Sequence, residues 1–279
     1  EPVLPVQFSR GCYYKDCAFC ALTLDHQNFR QRDPGKTVDD LVWLKERYGA
    51  QSFFFTDECF ALSPTKRLCQ QMIDRQVNVK WTCELRFEKN LSRELLTQMR
   101  DAGCLKIVFG LESFNQRVMD FMKKGIKQES VRRIVDDCVD LGIAVHCYVI
   151  VGFPTEKEEE ALETMNFVVG NTKLHESYGF SCQPCLFDLE KEAPIMSDPG
   201  SYGIRRIMRP ATEDLSLGFF YEVQEGMTPA QAEQLYQQVY EKISEVVCEL
   251  PFNYSMADGL LYIARAKSQA LQVPQPTVS

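Results

Sequence analysis

Val3-Leu-Pro-Val-Gln-Phe-Ser-Arg-Gly-Cys12-Tyr-Tyr-Lys-Asp-Cys17-Ala-Phe-Cys20 opens the chain with a strand-sized apolar run and then a loop holding three closely spaced cysteines. Thiolates are soft ligands suited to iron–sulfur clusters, zinc or copper(I), and a C-x4-C-x2-C loop lets three of them converge on one metal centre. Three is the informative number. A structural zinc site is four-coordinate and closed, and only His26 lies within a few residues as a fourth ligand. A four-iron cluster on three cysteines would leave one iron open to an external ligand. A zinc loop completed by His26 or a remote cysteine is the structural alternative.

Outward from that loop, periodicity predicts strands at Gln51 to Thr56, Val79 to Glu84, Leu105 to Gly110, Ala144 to Gly152 and Tyr178 to Pro184. Helical spacing fills the intervals: Thr37 to Tyr48, with a Thr-x-x-Asp-like cap, then Ser63 to Asp74, Ser92 to Ala102, Gln128 to Leu141 and Glu156 to Val169. Gly103 and Gly142 stand where C-terminal caps belong. Strand and helix alternating every roughly thirty residues is the mark of βαβ units and a parallel sheet. Six units from Val3 to about Pro184 are too few for a closed eightfold barrel. The expected fold is α/β: a partial, open (β/α)6 TIM-like barrel with a C-terminal helical segment. In such a barrel the chemistry lies at the C-terminal ends of the strands, where the cysteine loop sits. The domain division is 1–204 for the barrel core and 205–279 for a helical accessory segment, with a helix over Thr228 to Leu250, a second over Met256 to Ala270, and a Pro-containing tail from Gln272 to Ser279.

The chain has 279 residues, 45% of them apolar and 25% charged, ample for a core and unlike disordered or fibrous sequences. The longest apolar runs are strand-sized, which excludes a membrane-spanning helix and a secretory segment. The first residue is Glu1, so the sequence reads as an excerpt of something longer. Net charge is −8 and the pI is near 5.1, so the broad positive field that nucleic-acid binding relies on is absent. Twelve cysteines are scattered over a chain too large to need disulfide staples. Cys59, Cys69, Cys83, Cys104, Cys138, Cys147 and Cys248 lie in or beside apolar segments and read as buried thiols in a reducing cytosol.

A cysteine triplet after the first strand of a six-unit βα array resembles the radical S-adenosylmethionine superfamily over roughly residues 5 to 200. Further segments carry the resemblance: Phe55-Thr-Asp-Glu-Cys-Phe60, Trp81-Thr-Cys-Glu-Leu-Arg86 with Leu91-Ser-Arg-Glu-Leu-Leu, Ala102-Gly-Cys, Phe109-Gly-Leu-Glu-Ser113 and Val151-Gly-Phe-Pro-Thr-Glu156. These are similar to runs in cobalamin-linked, methylthiotransferase-like and peptide-maturing branches. The commonest triplet of the superfamily has three residues between its first two cysteines, whereas Tyr13 to Asp16 make four here, which loosens the choice of subfamily.

The resemblance implies that Cys12, Cys17 and Cys20 hold a [4Fe–4S] cluster whose fourth iron is chelated by S-adenosylmethionine, which is cleaved reductively to a 5′-deoxyadenosyl radical. It implies Phe19 beside the adenine, Asp57 and Glu58 at the methionine ammonium, Arg86 at its carboxylate, Glu112 and Ser113 at the ribose or amino-acid moiety, and Val151, Gly152 and Phe153 along the adenine. His146 is a candidate cofactor contact or a hydrogen-bonded core residue. Structural alternatives stand beside these readings: an Arg86–Glu112 ion pair between strands, Asp57 and Glu58 as helix caps, a plain Gly-Phe-Pro turn, and a solvent-facing Lys15. Cys182-x-x-Cys185 reads as ordinary thiols or as half of an auxiliary cluster, and Cys83 and Cys147 are open as to which side of the sheet they face.

The implied activity is radical modification of a peptide or small molecule, with cobalamin-linked C-methylation among its outcomes. The cobalamin module that such members carry ahead of the barrel is not in this sequence. The implied partner is an external electron donor such as flavodoxin or ferredoxin, with no membrane and no nucleic acid. The alternatives are an RNA-modifying, methylthiotransferase-like enzyme, which the acidic balance disfavours, and a non-catalytic iron–sulfur or zinc protein.

Overall fold

The computed structural model describes residues 2–21, 28–170, 180–209 and 218–246. Six parallel strands form one sheet: β1 (Val3–Val6), β4 (Ser52–Phe55), β5 (Lys80–Leu85), β6 (Cys104–Glu112), β7 (Ala144–Val151) and β8 (Phe180–Leu186), neighbours in that order. Among the described residues β8 does not pair with β1, so the barrel is open. Helices α1 (Pro34–Tyr48), α2 (Leu62–Asp74), α3 (Arg93–Asp101), α5 (Gln128–Asp140) and α6 (Glu158–Val169) cross between the strands, and a short α4 (Gln116–Phe121) precedes α5.

Alternation along each strand divides the sheet into two faces. Phe53, Phe55, Trp81, Cys83, Ile107, Phe109, Val145, Cys147 and Cys182 point to the helices and build the main core with Leu41, Leu68, Leu96 and Ile134. Cys83 and Cys147 are therefore helix-side core residues and do not line the inner face. Gly103 (φ +98°) turns α3 into β6 so tightly that a Cβ there would strike the Val79 carbonyl, which is why the Ala-Gly-Cys corner needs glycine.

Two expectations are corrected. Helix α1 starts at Pro34 with Asp33 as its cap, Asp33 Oδ1 accepting from Lys36 N at 3.1 Å, and Thr37 lies inside the helix; proline at the first helical position fixes φ and needs no donor there. The segment after 204 is not helical throughout. Strands β9 (Leu189–Glu190), β10 (Ile204–Met208) and β11 (Gly218–Val223) form an antiparallel sheet in the order β10-β11-β9 before helix α7 (Pro229–Val246). The reason is a second core cluster, in which Ile204 and Tyr221 pack with Ala18, Phe153, Phe187, Leu189 and Tyr202. A strand pair lays such alternating apolar residues on one side. Helix α7 packs on β7, β8 and α6. The expected helix over 256–270, the tail and His26 lie outside the described residues.

Candidate functional site at the C-terminal edge of the sheet

The cysteine loop leaves the end of β1 and is pinned at its base by a two-residue antiparallel ladder, β2 (Ser9–Arg10) with β3 (Arg30–Gln31). Arg32 N and Gln31 Nε2 both donate to Phe8 O at 2.9 Å. Farther along, Ala18 N donates to Met122 O and Ala18 O accepts from Ile195 N. The loop is thus tied to the turn after α4 and to the segment beyond the barrel, whose role in holding it had no signature in the sequence.

Asp57 and Glu58 follow β4 and face this loop. The Asp57 carboxylate accepts from Phe8 N, Ser9 N and Ser9 Oγ, the last at 2.6 Å, and Glu58 Oε2 accepts from Gly11 N at 3.0 Å. Burial pushes the Asp57 carboxyl up to about 6 against those hydrogen bonds. Both acids act here as clamps on the backbone leading into the triplet. The next residue, Cys59, was read from sequence only as a core thiol. It is buried beside Cys12 and its hydrogen bond is the main cause that pulls the Cys12 thiol down to about 5, aided by the backbone N–H groups of Tyr14 and Lys15 and by Arg86.

Arg86, just past β5, reaches into the loop. Nη1 donates to Cys17 Sγ at 3.6 Å, Nη2 donates to the Lys124 carbonyl, and Nε stands 3.7 Å from Glu88 Oε1. Its guanidinium lies 3.5 Å over the Tyr14 ring. The structural alternative of an Arg86–Glu112 ion pair is not what the described residues form. Glu112, held at φ +63°, pairs instead with Lys124 Nζ at 3.2 Å, both side chains being buried. Gly110 makes room for that pair: a Cβ there would lie 2.7 Å from Glu112 Oε1. Lys124 also stands 5.6 Å over the Phe19 ring, and no motif pointed to it.

The remaining residues are placed as follows. Ser113 Oγ lies 3.2 Å from Thr164 Oγ1 and accepts from Asn115 N, so it organises the start of α4. At the end of β7, Val151 is in the main core and Phe153 in the second, and Gly152 (φ +85°) donates to Glu156 Oε2 at 2.7 Å while Ala232 of α7 closes over it. His146 is half-buried on the inner face with Nδ1 2.7 Å from Ser181 Oγ; burial holds it down to about 3, so it is neutral. Lys15 is exposed. Cys182 is buried in the core and Cys185 is exposed on the other face of β8, which separates the Cys182-x-x-Cys185 pair.

The profile of the radical SAM superfamily matches residues 6–168, more than half of the chain. The chain belongs to the radical SAM superfamily. Among curated proteins, this radical SAM chain is 27% identical over 165 residues to an uncharacterized methyltransferase of Pyrococcus horikoshii, covering 58% of this chain and 36% of the relative. It is 31% identical over 160 residues to the anaerobic magnesium-protoporphyrin IX monomethyl ester cyclase of Rubrivivax gelatinosus, covering 56% and 29%. It thus spans about a third of the length of these relatives. Among solved structures, the cobalamin-dependent S-adenosylmethionine radical enzyme OxsB with aqua-cobalamin bound superposes with a TM-score of 0.65 at 15% identity, covering 84% of this chain and 40% of that one. That likeness is one of fold, the partial barrel.

The superfamily's cofactors are a [4Fe–4S] cluster and S-adenosylmethionine, and the donor chemistry of the loop fits them. It offers three thiols, one of them favoured as thiolate, with a guanidinium at hand to balance negative sulfur. Arg86 Nε is buried without a hydrogen-bond partner, leaving donor capacity beside the triplet. Among the described residues no three His, Cys, Asp or Glu side chains stand together at metal-ligand spacing, so the fit is one of donor type. No described helix is long and apolar enough to cross a membrane.

Proposed function

We propose that this chain is the catalytic core of a radical SAM enzyme that modifies a peptide or small molecule, with cobalamin-linked methylation as the reaction class. The observation that carries the reading is the triplet Cys12, Cys17 and Cys20 on a loop clamped to the C-terminal edge of a six-stranded parallel sheet, where βα barrels hold their chemistry. Cys12, Cys17 and Cys20 would hold the cluster. When bound, the cluster supplies the electron that cleaves S-adenosylmethionine reductively. The chain's own residues hold the loop: Asp57 and Glu58 fix its start, Arg86 balances charge at Cys17, and Tyr14 stacks beneath Arg86. Phe19 and the Gly152 turn would flank the adenine. Of the accessory segment 205–279, the described strand Gly218–Val223 packs on this edge through Tyr221.

Methylation is supported by the methyltransferase named among the relatives and by the cobalamin in the OxsB structure. The net charge of −8 argues against an RNA substrate. An external one-electron donor of the flavodoxin or ferredoxin kind completes the system. Anaerobic cluster reconstitution, dithionite reduction with S-adenosylmethionine and assay of 5′-deoxyadenosine test this reading. Product from the parent chain and none from Cys17→Ala is expected; a well-formed cluster that yields no product would overturn it, as would a colourless, zinc-loaded protein.

A further inference from the structure

The residues between Cys12 and Cys17 include two tyrosines, and the segment that leaves β5 engages both. Tyr14 lies under the Arg86 guanidinium, and Tyr13 OH donates to Glu88 Oε1 at 2.5 Å. That segment is firmly held. Phe87, between the two, is fully buried and stacks on Phe109 with ring centroids 4.1 Å apart. Glu88 N donates to Arg86 O at 2.9 Å, and Glu88 O accepts from the N–H of fully buried Leu91 at 3.0 Å. The Arg86 and Glu88 side chains therefore leave a fixed backbone.

Glu88 is where two arms meet. One runs through Tyr13 to Cys12, its neighbour in the chain. The other runs through Arg86, whose Nε stands 3.7 Å from Glu88 Oε1 and whose Nη1 donates to Cys17 Sγ at 3.6 Å. Arg86 Nε is buried with no hydrogen-bond partner, so charge alone aligns it with Glu88. Tyr13 and Glu88 are half-buried and border a cavity of 430 Å³ lined also by Ser63, Lys66 and Ser92. The pair thus stands outside the packed core, and trimming Glu88 extends an existing cavity instead of opening a void in the core. Its effect falls on where the loop sits and on how much positive charge reaches Cys17.

We propose that Glu88 is a positioning residue of the cysteine triplet: through Tyr13 it fixes the Cys12 side of the loop, and through Arg86 it shares the guanidinium charge with Cys17 and so tunes the reduction potential of the bound cluster. The inference rests on the reading that the three cysteines hold an iron–sulfur cluster. Its direction follows from charge. Reduction adds one negative charge to the cluster, which the Arg86 cation stabilises and the Glu88 anion opposes. Removing the anion while keeping an acceptor for Tyr13 raises the potential and leaves the loop in place.

Three variants separate the arms. Glu88→Gln keeps the acceptor and loses the charge. Tyr13→Phe keeps that charge and the ring against Phe29 but loses the hydrogen bond, and Glu88→Ala loses both charge and acceptor. Redox titration of the reconstituted cluster, followed by electron paramagnetic resonance, reads the potential. Hydrogen–deuterium exchange of residues 11–20 in the metal-free chain reads the order of the loop. Glu88→Gln is expected to favour the reduced cluster roughly tenfold, about 59 mV for one electron, at parental iron per chain. Tyr13→Phe and Glu88→Ala are expected to exchange residues 11–20 roughly tenfold faster than the parent, with the potential of Tyr13→Phe unmoved. A merely structural role would alter exchange and melting but not the potential of Glu88→Gln. A parental potential in Glu88→Gln would overturn the proposal, as would parental exchange in Tyr13→Phe. A chain that takes up zinc in place of a cluster would sink the radical reading and with it the potential; faster exchange in Tyr13→Phe and Glu88→Ala would then uphold Glu88 as the holder of the loop, and parental exchange would overturn that too.

Discussion

Arg86 Nη1 lies 3.6 Å from Cys17 Sγ while the same guanidinium rests 3.5 Å over the Tyr14 ring. One side chain at the end of β5 thereby joins a triplet thiol, an aromatic of the same loop and, through Nη2, the Lys124 carbonyl. Loss of charge-assisted hydrogen bonds of this kind costs about 2 kcal/mol. Arg86→Met is expected to lower stability by about that amount and to reduce iron retained after reconstitution. Arg86→Lys, which keeps the charge but not the planar fork, should fall between. Urea melts and iron per chain are the measurements, and parental values in both for Arg86→Met would remove this role.

Glu112 and Lys124 form a buried pair at 3.2 Å, and removing one partner leaves the other charge buried. Lys124→Met is expected to destabilise by about 3–5 kcal/mol, and Glu112→Gln combined with it should recover most of the loss. A double-mutant cycle by denaturant melts gives the coupling. Additive single effects would show that the two residues act apart.

Much of this architecture is legible in the sequence, and the exceptions have physical causes. The strand over Ala144–Val151 and the helix ending at Asp74 follow from apolar period alone. The triplet stands out because three thiols in one loop have few structural uses. Period and spacing say nothing of partners set by the fold. Lys124 is a loop cation whose pairing with Glu112 depends on how the turn after α4 returns to β6. Asp57 reads as a free acceptor until β1 is laid beside β4 and brings Phe8 N and Ser9 N to it. The antiparallel strand pair Ile204–Met208 and Gly218–Val223 escaped because its apolar positions face a second cluster built from distant residues. The faces of Cys83 and Cys147 were settled only by the sheet's alternation against the helices.

Glu156 holds the turn after β7 through Gly152 N, and its Oε1 is buried with no partner. Burial raises its carboxyl from 4.5 to about 8. Between those values the folded chain keeps a proton that the unfolded chain has released, so this contribution is present at low pH and is lost as pH rises through about 8. Glu156→Gln mimics the protonated form. Relative to that variant, the parent is expected to lose on the order of 1.4 kcal/mol for each pH unit within that window. Denaturant melts of both chains across the window check this, and parallel pH profiles would show that Glu156 is ionised in the fold.

Gly125 sits at φ +64° against the Tyr14 ring, so that a Cβ would strike both the ring and its hydroxyl. That hydroxyl donates to Lys123 O at 2.8 Å, and Arg86 lies on the ring's face, so the ring has no room to retreat without releasing one of them. Gly125→Ala carries two penalties, about 1 kcal/mol for the left-handed backbone and a further loss as Tyr14 is displaced. Adding Tyr14→Ala removes the second penalty and leaves the first. Gly125→Ala is therefore expected to melt lower and to expose the cysteine loop to faster limited proteolysis. In the double variant, adding Gly125→Ala to Tyr14→Ala should cost less than adding it to the parent. An equal cost in both backgrounds would show that Gly125 serves the turn alone and has no hand in holding the triplet.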